Sequence, residues 1–348
     1  MPRNPIDHIA MGYIQPPRNL QPDDSTEPDV LVVCVTYNSA DSIELLLAAL
    51  PAALESIPSC RVVITDNASV DGTPGLIRRI APWVTLVESR QNLGYAGGIN
   101  LALRSGAGRI GIYVLNADAV PSPGSISELL RTLEDDPRVG IAVPRIVTSE
   151  GLLKFSLRRE PTILRALGEM FLGGHRASHF KQLGDMIRDP NYYNNGASAD
   201  WSTGAAMFIS RRAADVVGNW DERFFLYSEE TDYALRARDS GYLLRLVPSA
   251  TVVHPGGEMQ VSPRLWSLVA TNRTRLYRKR HSLLPSILFW LIVLSNEGTR
   301  SLLGRDKHIA AFKALLRLGP NPDTVGITPD LIWRRSIDFS ESSSTNPA

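Results

Sequence analysis

The 348-residue chain is poor in cysteine, in charge of one sign and in long apolar runs. Its two cysteines, Cys34 and Cys60, both sit in apolar runs, which excludes a disulfide framework and a thiolate metal cluster. They read as buried, inert thiols of a reducing compartment. Lys and Arg number 37 against 36 Asp and Glu, a net charge of +1, so no global field selects nucleic acid and any basic surface must be local. The N-terminal region has prolines and acids but no apolar segment of the kind a secretory signal needs, so a cytoplasmic active site is expected. What remains is ordinary globular material, 43% hydrophobic and 21% charged, enough for one large α/β domain or two small ones.

Short apolar runs at Val30–Val35, Val62–Thr65, Thr85–Val87 and Ile110–Leu115 are read as strands. Helical patterns at Ser42–Leu54, Gly75–Ile80 and Ile99–Arg104 follow the first three. Val- and Ile-rich strands alternating with helices indicate a parallel sheet with right-handed crossovers. Each run stops at a polar cluster: Thr36-Tyr37-Asn38, Asp66-Asn67, Arg90-Gln91-Asn92 and Asn116-Ala117-Asp118. Ligands of open α/β sheets bind outside the carboxyl ends of the strands, so four such ends imply one crevice. The dinucleotide fingerprint G-x-G-x-x-G is missing after the first strand, where Thr36-Tyr37-Asn38-Ser39-Ala40 stands instead. Four regions are expected: a flexible arm over 1–28, a catalytic domain over 29–260, a helical, basic and apolar extension over 261–318, and a flexible tail over 319–348.

Five ordered segments carry a resemblance. They are Val33–Asn38, Thr65–Thr73 (TDNASVDGT), Asn92–Asn100 (NLGYAGGIN), Leu115–Asp118 (LNAD) and Phe224–Asp232 (FFLYSEETD). Over roughly 30–255 the chain resembles glycosyltransferase family 2, and most nearly the bacterial rhamnosyltransferases that act on lipid-linked precursors of cell-wall and surface polysaccharides. The resemblance implies a GT-A type, Rossmann-like α/β fold with a mixed central sheet flanked by helices and a C-terminal helical extension. It implies donor binding by Thr36, Tyr37, Asn38, Asp66, Asn92, Gly94, Gly97, Asn100, Asn116, Ala117 and Asp118, with Asp66 accepting the imino hydrogen of uracil or thymine. The plain alternative for Asp66 is an Asx turn, and for Gly97 and Gly98 simple φ freedom in a loop.

Asn116-Ala117-Asp118 is similar to the family's Asp-x-Asp metal motif. A Mg²⁺ or Mn²⁺ ion on Asp118 would stabilise the charge of a leaving diphosphate. Asn116 departs from the pattern and removes one charge. The resemblance puts His254 near the metal or the diphosphate; a lone histidine is otherwise a satisfied structural residue. Glu229-Glu230-Thr231-Asp232 opens a helix over Glu229–Asp239, where acids also suit the helix dipole. An inverting transfer needs a base opposite the leaving group. The aligned residue is Glu230, with Glu229 as rival because the usual pair is Glu-Asp. Asp232, Trp201 and Gly204 are expected beside sugar or acceptor, Trp201 having core packing as its alternative.

Arg273, Arg275, Arg278, Lys279, Arg280 and His281 crowd a helix just before the apolar segment Leu283–Leu294. That segment is short of the roughly 20 residues a span requires. It suits either an interfacial helix, with the basic cluster at anionic headgroups, or a core helix. Tyr192–Asn195 and Pro161–Leu172 are expected to border the lipid end. The expected reaction is inverting transfer of a sugar, L-rhamnose first, from a dTDP- or UDP-linked donor to a polyprenyl-diphosphate-linked acceptor. Its setting is the inner face of the bacterial plasma membrane, without nucleic acid and with oligomers compatible. Two rivals stand beside it. A sugar-nucleotide nucleotidyltransferase would want a Gly-rich basic phosphate loop that Thr36–Asp41 lacks, and a silent nucleotide-sugar-binding membrane adaptor would have lost its base.

Overall fold

The computed structural model describes residues 12–21, 26–255 and 262–319. In chain order come β1 (Val30–Thr36), α1 (Ile43–Ala53), β2 (Cys60–Asp66), α2 (Thr73–Ile80), β3 (Thr85–Glu88), α3 (Gly94–Ala102) and β4 (Gly111–Asn116). β1 and β2 are buried along their whole length. A parallel strand covered by helices on both faces has no solvent side, hence the unbroken Val/Ile/Leu runs. β5 (Val120–Pro121), α4 (Ser125–Asp135), β6 (Val139–Val147), β7 (Leu157–Arg158), α5 (Ile163–Ala177), α6 (Pro190–Asn194), β8 (Ser198–Ala199) and β9 (Trp201–Ser202) follow. Then come β10 (Ala206–Ser210), α7 (Arg211–Val217), α8 (Glu229–Asp239) and β11 (Leu243–Val253). The last three helices are α9 (Pro263–Arg280), α10 (Leu283–Ser301) and α11 (Asp306–Leu318).

Among the described residues the main sheet runs β3-β2-β1-β4-β10-β6-β11-β5, with β8 on β11. β3, β2, β1 and β4 are parallel, while β10 runs against both β4 and β6. This is the mixed, helix-flanked sheet expected of a GT-A fold. One apolar core lies on each face of the sheet, and a third fills the space between α5, α9, α10 and α11. Cys34 and Cys60 belong to the first core, and burial pushes both thiols up, Cys60 to about 12, so they are unreactive.

Three sequence expectations change. α3 starts at Gly94 rather than at Ile99. Gly97 and Gly98 lie inside it without positive φ; a Cβ on Gly98 would stand 2.6 Å from Val35 Cγ1 and one on Gly97 2.8 Å from Leu93 Cβ. They are small so that the helix can pack closely, and not to free a loop. Second, residues 12–21 of the expected arm are held. Ile14 N donates to Ile80 O (2.7 Å), Trp83 Nε1 to Ile14 O (2.8 Å) and Asn19 Nδ2 to Leu54 O (3.0 Å). Residues 1–11, 256–261 and 320–348 lie outside the described residues.

Third, the basic cluster of α9 does not face outward as a headgroup site. Arg273 pairs with Glu169, Lys279 with Asp221 (2.7 Å) and Asp232 (2.6 Å), and Arg280 with Glu160 (2.9 Å) and Asp239 (2.8 Å). Successive helical residues point about 100° apart, so a cluster in sequence spreads around the axis and finds several partners. α10 divides: Phe289, Ile292 and Val293 are buried in the third core, while Leu284, Leu288 and Leu291 are exposed. Tyr193 is also wholly buried, its hydroxyl donating to Ile187 O (3.0 Å), so it is core and not a lipid contact.

Candidate active site

The strand ends do meet. In register, Thr36 faces Asp66 and Val35 faces Asn116. Thr36 Oγ1 donates to Asp66 Oδ1 (2.8 Å), as does Ser69 Oγ (2.6 Å), and Ser69 N donates to Oδ2 (2.9 Å). The turn reading of Asp66 is therefore realised, and the same bonds fix its buried carboxylate at the end of β2. Asn38, at φ +52°, accepts from Val70 N (2.9 Å), which ties the end of β1 to the loop after β2; Tyr37 beside it is exposed. Asn67 was not singled out from the sequence. Its Nδ2 donates to Gly94 O (2.9 Å), anchoring the start of α3 to β2. Asn92 Oδ1 accepts from Gly94 N (2.9 Å), the Asx bond of a helix entry.

Next to this, His254 Nε2 lies 3.2 Å from Asp118 Oδ1 and 3.4 Å from Asn116 Nδ2. Topology explains the convergence: β11 pairs with β5, and His254 N donates to Val147 O (2.9 Å) at the end of β6. Lys154 Nζ donates to His254 O (2.8 Å) and to Pro255 O. Desolvation works against ionising Asp118, but the hydrogen bond and charge of His254, with Lys154 beyond, outweigh it and hold the carboxyl below its usual range. Ala117 between the two polar residues is buried in the first core. Among the described residues no three His, Cys, Asp or Glu side chains gather as a cation cage. Asp118 and His254 form a two-donor set, a carboxylate oxygen and an imidazole nitrogen, that fits a divalent cation whose other positions are filled by phosphate oxygens.

The acids of α8 come next, at the start of that helix. Glu229 is buried and Glu230 partly so; the Oε2 atom of each is buried with no hydrogen-bond partner. Burial, then repulsion from Glu230, pushes Glu229 well up, and burial raises Glu230 to about 7. Glu230 packs against Gly204, where an added Cβ would be 3.4 Å from Glu230 Cβ. Gly204 stands next to Asn116, whose N–H donates to Ala205 O (3.0 Å). Tyr95 lies within electrostatic reach of both sets of acids. Its hydroxyl lies 3.5 Å from Gly204 O, and its pKa is pushed far up by burial and then by the charges of Cys34, Glu229, Glu230 and Asp118. The sequence gives no hint of this, since Tyr95 sits among glycines.

Three expected residues are committed elsewhere. Asp232 is 0% exposed and held by Arg236 (2.8 Å) and Lys279 (2.6 Å), so it braces α8 and is unavailable to sugar or acceptor. Asn100 donates to Trp220 O (2.9 Å) and Glu222 Oε1 (2.8 Å) and accepts from Trp220 N (3.0 Å), which commits its amide to the chain before α8. Trp201 is packed on the second core with Nε1 donating to Arg159 O (3.0 Å), the core alternative.

The comparisons with known proteins bear on these same segments. Residues 31–207 match Glycosyl transferase family 2. The chain is 33% identical over 237 residues to the N-acetylglucosaminyl-diphospho-decaprenol L-rhamnosyltransferase of Mycobacterium tuberculosis, covering 65% of this chain and 76% of that protein. It is 26% identical over 218 residues to the low-salt glycan biosynthesis hexosyltransferase Agl10 of Haloferax volcanii, covering 60% and 62%. Among solved structures, the mannosyltransferase PcManGT of Pyrobaculum calidifontis, in complex with GDP-Man and Mn²⁺, superposes with a TM-score of 0.50 at 19% identity, covering 89% of this chain and 86% of that one. GalNAc-T7 with UDP, GalNAc and Mn²⁺ gives 0.55 at 13% identity over 84% and 56%. At those identities the structural likeness is one of fold. The family match spans half the chain and takes in both the nucleotide-side strand ends and the Asn116–Asp118 motif, so the chain belongs to glycosyltransferase family 2 and is a glycosyltransferase.

Proposed function

We propose that the chain transfers a sugar, L-rhamnose first among candidates, from a dTDP- or UDP-linked donor to a polyprenyl-diphosphate-linked saccharide, with inversion. The observation that carries this is the convergence on Tyr95: its hydroxyl lies 3.5 Å from Gly204 O, Gly204 packs against Glu230, and the phenol feels Glu229, Glu230 and the Asp118 that pairs with His254. Asp66 on the nucleotide side accepts from the base through its remaining lone pair. Asp118 and His254 hold a divalent cation, which when bound neutralises charge on the donor diphosphate. Burial and repulsion from Glu230 push the Glu229 carboxyl well up, which favours its uncharged form beside Glu230. Glu230, with a carboxyl near 7, takes the proton of the acceptor hydroxyl as that oxygen attacks the anomeric carbon from the face opposite the diphosphate. The Mycobacterium relative, named for an L-rhamnosyl transfer to N-acetylglucosaminyl-diphospho-decaprenol, supports both the sugar and the acceptor class.

A lipid-linked acceptor requires an approach to the membrane. Among the described residues no helix is long and apolar enough to cross one. The apolar side chains left outside the third core supply the alternative: Phe171 on α5 is 75% exposed, Leu284 on α10 79% and Leu302 86%. Helices with one face in a core and a second apolar face outward suit binding in the interfacial plane, here on the cytoplasmic leaflet. The function is tested by incubating the protein with dTDP-L-rhamnose or UDP-sugars, Mn²⁺ or Mg²⁺ and polyprenyl-diphosphate-linked N-acetylglucosamine. The product is followed by mass spectrometry and its anomeric configuration by NMR. Retained configuration removes Glu230 as base. In a parallel reaction with inorganic pyrophosphate in place of the lipid acceptor, formation of sugar-1-phosphate and a nucleoside triphosphate would instead mark a nucleotidyltransferase.

A further inference from the structure

The backbone that delivers the two glutamates is strained. Phe225, Tyr227 and Ser228 have φ of +57°, +70° and +74°, and none is glycine. Such backbone is disfavoured for residues other than glycine and persists only where its surroundings over-determine it. The surroundings here are specific. Five consecutive carbonyls, Arg223 to Tyr227, all accept hydrogen bonds from outside the turn. Asn272 Nδ2 of α9 donates to Phe224 O (2.6 Å), Leu226 O (2.9 Å) and Tyr227 O (3.1 Å). Arg275 Nη1 donates to Arg223 O (2.7 Å), and Tyr95 N of α3 to Phe225 O (2.6 Å). Arg275 Nη1 also donates to Asn272 Oδ1 (3.0 Å), which fixes which end of the amide faces the carbonyls. Asn272 itself is 1% exposed.

From this geometry we infer that Asn272 is a positioning residue for the glycosyl transfer: it holds the strained turn so that Glu230, three residues beyond Tyr227, stays packed beside Gly204. The inference rests on the proposed role of Glu230. The C-terminal helices are thereby part of the active-site construction, since α9 supplies the clamp. An aspartate at 272 has the same shape but sets carboxylate oxygens against three carbonyls, so the turn is released without a cavity.

The test uses the full-length protein with Asn272→Asp and Asn272→Ala, read by amide hydrogen exchange and by kinetics with dTDP-L-rhamnose and polyprenyl-diphosphate-linked N-acetylglucosamine. The segment 223–232 is expected to exchange faster while the sheet strands keep wild-type protection. kcat should fall about 100-fold, the scale of a misplacement near 1 Å, with donor KM within about twofold of wild type. Wild-type exchange in that segment, or local loosening with an unchanged kcat, would overturn the inference. An inactive wild type would sink the transfer reading and the positioning role resting on it, while the exchange data still decide whether the clamp exists. Should the Asn272 variants unfold, Arg275→Gln leaves Asn272 in place but frees its amide. It should give the same local loosening and loss of kcat, and wild-type behaviour there counts against the clamp.

Discussion

Glu230→Gln should make this protein more stable above neutral pH while removing its activity. Burial is the main cause that moves the Glu230 carboxyl from the ordinary value of about 4.3 to about 7. The folded state therefore binds more protons than the unfolded chain between those values, and stability is lost as pH rises through that window. A difference of this size amounts to on the order of 3 kcal/mol by pH 8, with little at pH 4.5. Glutamine has the same shape and no charge, so the variant escapes the penalty and the repulsion on Glu229. Its melting temperature should exceed that of wild type by about 5 °C at pH 8 and converge with it toward pH 4.5. Transfer should drop about 10²–10⁴-fold, the usual contribution of a general base, with donor binding kept. In wild type, kcat should climb about tenfold from pH 6 to pH 8, because only about a tenth of Glu230 is ionised at pH 6. Scanning calorimetry at the two pH values and initial rates across the range check this. A variant that gains no stability at pH 8, or that turns over at the wild-type rate, refutes the reasoning.

Asp118→Asn should weaken Mn²⁺-dependent nucleotide binding by more than about tenfold in titration calorimetry, since even outer-shell changes at metal sites cost that much; unchanged affinity removes Asp118 from the cation site. Gly94→Ala puts a Cβ 2.2 Å from Phe225 O at a φ of +76° and should destabilise by more than about 2 kcal/mol in urea unfolding. A midpoint equal to wild type would show that α3 and the turn are not in contact. Leu284→Glu with Leu288→Glu should abolish flotation with anionic vesicles while leaving the melting temperature unchanged, as both side chains are exposed and each contributes on the order of 1 kcal/mol to insertion. Flotation at the wild-type level would place lipid contact elsewhere.

What could be read from the chain depended on the range of the interaction. The strands were legible because burial on both faces leaves only apolar residues, and the donor-side segments because their order along the chain follows the order of strand ends. The start of α3 was not, since glycine's low helix propensity makes Gly94-Tyr95-Ala96-Gly97-Gly98 look like a loop until Val35 is seen packed against Gly98. Asp232 and the basic run of α9 misled for one shared reason. Their charges suggest ligands or lipid, yet Lys279 and Asp232 are each other's partners across distant parts of the sequence. Asn272 carried no signal at all, because an asparagine in a helix announces nothing about three carbonyls elsewhere.

The position of Tyr95 ties these pieces into one argument about charge. The proposed donor diphosphate would lie near Asp118 and two glutamates, so the charge these carry bears on its binding. The structure limits the charge at each point. Burial and repulsion from Glu230 push the Glu229 carboxyl well up, burial raises Glu230 to about 7, and the hydrogen bond and charge of His254 outweigh desolvation to hold Asp118 low. Burial, then the neighbouring groups, push the Tyr95 phenol further up, so it contributes a dipole there and no charge. Its backbone N–H meanwhile donates to Phe225 O, joining α3 to the turn that leads into Glu229 and Glu230. Any displacement of α3 by a bound donor would therefore act directly on the turn that aims Glu230.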